Sequence, residues 1–140
     1  MPAAWPEGET LAFIVDFLEE DRKTVAFRVY YQDAAAHPGQ GVIPQLDPPD
    51  RVPVDVAILC VAGFDQVPDN PERILANVKP RHVIGGHWED FFSRSPDEEP
   101  PKAAFGTNLD VFTERVHRAA KVPVYLPAPG QKLFFPIVPR

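Results

Sequence analysis

The chain has 140 residues, 18 prolines, one cysteine and a formal net charge of −6. That length suits a single domain over residues 1–140 with a core of its own. The acidic balance, with no basic stripe, argues against nucleic acid as a partner; one cysteine excludes an internal disulfide; no run is apolar enough to span a bilayer. Met-Pro-Ala-Ala-Trp-Pro is no signal peptide, so the expected setting is the cytoplasm.

Thr10 to Phe17 and Thr24 to Tyr31 are rich in β-branched and aromatic residues, and the charged run Glu19 to Lys23 lies between them. That pattern predicts a β-hairpin. Asp33 stands at the end of the second strand. His37 to Pro53, full of Gly, Pro and Asp, reads as an irregular excursion.

Val54 to Ala62 is apolar after Asp55, as a strand buried on both faces should be. Cys60 inside it reads as a small buried hydrophobe. Asp65 falls in the loop that follows. Asn70 is a good cap, Pro71 a good first helical residue, and Ile74, Leu75 and Val78 share one side of a short helix. Pro80 stops it and a strand over Arg81 to Ile84 follows. Strand, helix, strand in so few residues is a βαβ unit, hence a parallel pair.

Ser93 to Pro101 reads as a polar surface loop. Thr107 and Asp110 have capping-box spacing, and Leu109, Phe112, Val116 and Ala119 line one face of a helix to about Ala120. Val122 to Leu126 is another strand, and Lys132 to Val138 a strand-like segment that Pro136 confines to an edge or keeps out of the ladder. The fold class is therefore α/β with a mixed sheet: an N-terminal hairpin, then βαβαβ. The helices suffice for one face, although several strands are apolar on both.

The stretch Arg81 to Phe92, RHVIGGHWEDFF, gathers the chemistry. Two glycines let the backbone turn sharply or pass close to another group, and His87 follows them at a strand's C-terminal edge, where α/β sheets place functional groups. Asp65 lies on that edge too, able to orient a substrate or simply to shape its loop. Trp88, Phe91 and Phe92 suit core or interface, and Glu89 and Asp90 are placed to steady the His87 ring. His82 shares the side of Ile84 and suits packing. His117 has solvated helical neighbours, and His37 precedes a proline in the irregular loop.

In this order, TVAFRVYYQDAA, VDVAILCVAGFDQ, PERILANVKP, RHVIGGHWEDFF and NLDVFTERV resemble the second half of a metallo-β-lactamase-superfamily hydrolase, from about Trp5 to Phe135. The resemblance implies half of an αββα sandwich. It implies that Asp33 matches the acid bridging two metal ions and His87 a ligand of the second. Zinc or manganese would be the metals, and a small-molecule ester, lactone or phosphodiester the substrate. The family's HxHxDH signature is absent from these residues. The chain alone is thus expected to bind metal weakly or not at all, to be inactive, and to pair with the missing N-terminal half or with a second copy. The competing reading is a non-catalytic half-domain for interaction or dimerisation. A small nucleotide binder is disfavoured, since no glycine-rich phosphate loop opens a helix.

Overall fold

The computed structural model describes residues 10–37, 39–44, 50–92 and 101–139. Apart from Pro101, the loop expected at Ser93 to Pro101 lies outside them. The hairpin forms from β1 (Ala12–Leu18) and β2 (Val25–Gln32), paired antiparallel. Its turn is held by Asp21, whose carboxylate accepts from the backbone N–H of Lys23 and Thr24 and from the Thr24 hydroxyl. The register sets Phe13 opposite Tyr31, Val15 opposite Val29 and Phe17 opposite Phe27. Since side chains alternate, all six share one face.

Three parallel strands continue the sheet: β3 (Val56–Cys60), β4 (His82–Gly86) and the short β5 (Val124–Tyr125), giving the order β1-β2-β3-β4-β5. Helix α1 (Glu72–Val78) joins β3 to β4, and α2 (Leu109–Ala120) precedes β5. Both helices pack on one face. There Tyr30, Ala57, Leu59, Val61 and Val83 form a single buried core with Ile74, Leu75, Val78, Phe112 and Val116. Each fully buried apolar side chain contributes about 1.5–3 kcal/mol. The Phe64 and Phe112 rings meet edge to face at 5.3 Å, and Arg115 joins α2 to Glu72 of α1 through two 2.7 Å hydrogen bonds.

Several boundaries differ from those read in the sequence. The cap of α1 is Pro71, because the buried Asn70 spends its side-chain N–H on the Phe64 carbonyl. The cap of α2 is Asn108, whose side chain accepts from the Val111 N–H, while the Thr107 backbone is tied to Ala104. On α2 it is Ala120, rather than the exposed Ala119, that packs on the core. Strand β4 runs on through both glycines. Gly85 is needed for close approach: a Cβ there would stand 2.6 Å from Leu126 Cδ2 and 2.7 Å from Val61 Cγ2. Lys132 to Val138 joins no ladder, in keeping with Pro136.

Among the described residues the other face has no helix on it. Phe135 reaches back to it and packs against Phe27, His82 and Tyr125, with ring centroids 6.5, 5.1 and 5.5 Å apart. Loop residues 39–44 lie on the helix side instead: Tyr30 donates its hydroxyl to the Gly41 carbonyl, and the Ile43 N–H donates to Asn77. On the hairpin, Phe13, Val15 and Phe17 remain 48, 44 and 56% exposed.

Candidate functional site

Because β2, β3 and β4 are parallel, their C-terminal ends reach the same edge. Asp33 directly follows β2, Cys60 ends β3, and His87 directly follows β4. The ladder pairs Tyr31 with Ile58, Ile58 with Ile84, and Cys60 with Gly86. Two residues beyond Tyr31, Asp33 falls in the row of Cys60 and Gly86. A pocket of about 160 Å³ opens at this edge, and Asp33, Cys60, Gly86 and His87 all line it.

Asp33 has a structural task here. Its Oδ1 accepts from the Leu11 N–H at 3.1 Å and its own N–H donates to the Leu11 carbonyl at 3.4 Å, which closes the open end of the hairpin. His87 is exposed and takes a left-handed φ of 53°, so the chain turns at the histidine and not at the glycines. Its ring lies 5.7 Å from that of Phe91. Its Nδ1 stands 3.6 Å from Cys60 Sγ. Burial pushes the Cys60 thiol above its usual range, and the negative charge of Asp33 adds to the effect.

The other sequence candidates are placed apart from this pocket. Trp88 is buried in the main core and its carbonyl accepts from the Ala104 N–H. Glu89 bridges to Ala103 and its carboxylate accepts from the Trp88 N–H; the Asp90 carboxylate accepts from the Phe92 N–H. Asp65 sits exposed in the 3-10 turn Phe64–Gln66, where its charge acts on Arg115. His37 lines a separate small pocket beside Gly39 and Arg73. His82 packs between Tyr125 and Phe135, and His117 is exposed on α2.

Cys60 is buried at the end of β3, as its apolar run predicts. The βαβ unit makes its strand and that of His87 neighbours, and the register, Cys60 against Gly86, brings thiol and imidazole together.

A catalytic zinc site takes about three protein ligands plus water. Among the described residues no group of three or more His, Cys, Asp or Glu is placed to hold a metal ion. The resemblance assigns two donors, Asp33 and His87, and one Asp33 oxygen already accepts a backbone N–H. These residues alone therefore do not fit a catalytic metal centre. Among the described residues no helix is long and apolar enough to cross a membrane. No family model, curated protein or solved structure matches the chain.

Proposed function

We propose that this chain is the C-terminal half of a metal-dependent hydrolase of the metallo-β-lactamase type, supplying Asp33 and His87 to a site that another segment completes. The observation behind this reading is their convergence: two residues far apart in sequence line one pocket at the C-terminal edge of a mixed sheet. An acid and an imidazole are the donor types that zinc or manganese accepts. The helix-free face of the sheet is where the second half of an αββα sandwich would lie. Its substrates would be small esters, lactones or phosphodiesters.

Paramagnetic broadening by manganese(II) in the amide spectrum of the full chain tests this reading, since it detects even weak occupancy. Broadening centred on Asp33, Cys60, Gly86 and His87, and abolished by either Asp33→Ala or His87→Ala, is the expected result. Broadening confined to other acidic surfaces would sink it.

The alternative is a non-catalytic half-domain acting as an interaction or dimerisation module. The exposed Phe13, Val15 and Phe17 on the helix-free face favour it. The two readings part on Asp33 and His87, which a pure interaction module does not need.

A further inference from the structure

Beyond β5 the chain turns over Ala128 to Gln131, where the Gln131 N–H donates to the Ala128 carbonyl and Gly130 takes a left-handed φ of 76°. The tail then crosses the helix-free face, anchored by Phe135. That ring meets Phe27 of β2 on one side and His82 of β4 and Tyr125 of β5 on the other. Between them lies β3. Its Val56 pairs with Val29 and His82 and so shares their face, yet it is only 2% exposed where no described helix covers it. Phe17 stands 6.2 Å from Phe27, so the exposed patch on β1 and the surface beneath Phe135 are continuous.

Little else holds the tail. Among the described residues, 132–139 make no hydrogen bond, and Phe134, beside the anchor, is 89% exposed. A segment fixed by ring contacts and no backbone ladder opens at small cost. On the reading that this face seats a second layer, we infer that the tail is a cis cap on a self-association surface. Phe135 shields Val56 and His82 in the isolated chain, and a second copy docking there displaces it. The occupant is a copy because the surface carries no charge to select another partner. The side chains that β1 and β2 turn to it (Phe13, Val15, Phe17, Phe27, Val29 and Tyr31) are all apolar or aromatic. A two-fold contact sets such a patch against itself. Each protomer must release its own cap before pairing, so the cost enters the dimer constant twice.

Sedimentation equilibrium of the full chain beside Phe135→Ala is the test, with circular dichroism to show that each is folded. Loss of the anchor should tighten the dimer dissociation constant at least about tenfold, or produce a dimer where the parent is a monomer. Phe135→Tyr keeps the ring and should match the parent. Cross-relaxation between the Phe135 and Tyr125 rings of the parent should be strong in dilute solution and fade as the dimer forms. An unchanged or weaker constant in Phe135→Ala overturns the inference, as does persistence of the Phe135–Tyr125 signal in the dimer. Copies would then pair beside the tail, and the face would remain an interface. Should Phe135→Ala not fold, Leu133→Ala, at a half-buried position of the same tail, decides by the same criterion. Monomers in parent and variants alike, up to millimolar concentration, overturn the cap together with self-association. Neither result bears on the manganese test of Asp33 and His87, so the hydrolase reading fails or stands separately.

Discussion

Arg28 and Asp16 pair fork to fork across the hairpin: guanidinium Nε and Nη2 donate to the two carboxylate oxygens at 2.6 and 2.7 Å. The register sets the two residues directly opposite each other, and Arg28 is almost fully buried. Its Nη1 donates to Asp50 and to the Val52 carbonyl, so one cation ties β1, β2 and the approach to β3 together. Burial alone would lower its pKa, and the two carboxylates outweigh that and raise it.

Asp16→Ala should therefore cost more than a surface pair does. Removing one partner of a buried ion pair leaves the other charge short of compensation, at about 3–5 kcal/mol for a fully buried case. Asp16 is partly exposed and Asp50 stays in place, so a loss of about 2 kcal/mol is expected. Urea unfolding of the variant beside the parent measures it; a loss within the range of ordinary surface substitutions would show Asp50 alone to suffice.

The contact between the helices has a pH signature. The Arg115 guanidinium holds Glu72 below its ordinary value of 4.5. A carboxylate with a depressed folded pKa stabilises the fold above its unfolded value, and the gain is lost as pH falls through the folded one. The pair is more than a third exposed on the Glu72 side, so it is worth about 0.2–1 kcal/mol. Stability should decline as pH falls below about 4.5, and Glu72→Gln should shallow that slope while lowering stability at pH 7. An unchanged slope would mean that other carboxylates, Asp50 among them, carry the acid sensitivity.

Gly85→Ala is expected to destabilise by about 1–3 kcal/mol through overpacking. The new Cβ would meet Leu126 Cδ2 at 2.6 Å, Val61 Cγ2 at 2.7 Å and Phe112 Cε1 at 3.2 Å, all within the layer between sheet and helices. Gly86→Ala, with its nearest neighbour at 3.8 Å, is the mild control. Equal effects in a chemical denaturation series would show that the tight spot relaxes freely.

Purified chain, dialysed against metal-free buffer, should hold far less than one equivalent of zinc or manganese by elemental analysis. Hydrolysis of lactone, β-lactam and phosphodiester substrates should stay at background. Two donors leave an ion mostly water-coordinated, and structural-site affinity comes from the full ligand set. Stoichiometric metal, or turnover lost on chelation and on His87→Ala, would show a competent site in this chain alone.

How much of this could be read from the sequence depended on whether the determining pattern was local. The hairpin was legible because alternation and a charged turn act over adjacent residues, as was the βαβ unit with Ile74, Leu75 and Val78 on one side of its helix. The convergence of Asp33 and His87 was expected from strand direction and from resemblance. The cap of α1 shifted by a residue because the Asn70 side chain is spent on the Phe64 carbonyl, and that of α2 because Asn108 accepts from the Val111 N–H. The burial of Cys60 was legible from its apolar run, whereas its contact with His87 was not, since that is set by the register of two strands with a helix between them.

The helix-free face should be covered in solution, and a second copy is the simplest cover. On β1 the apolar side chains are exposed on both sides: Phe13, Val15 and Phe17 on one, Ile14 and Leu18 on the other. As the first strand in the sheet order, β1 also has no strand on its outer edge among the described residues. Phe135 covers the sheet near Phe27, His82 and Tyr125, and loop residues 39–44 lie on the opposite side, so neither shields Phe13 or Val15. Leaving such side chains about half wet forfeits part of the roughly 1.5–3 kcal/mol that full burial of each would contribute, and summed over several of them that is a large share of a small domain's net stability. A two-fold contact between copies brings the same patch against itself, and folding then becomes concentration-dependent. Light scattering on a size-exclusion column should give twice the chain mass at micromolar concentration, and Tm should rise with concentration. Val15→Glu should abolish the pairing and lower Tm. A compact monomer with a Tm independent of concentration would refute self-association.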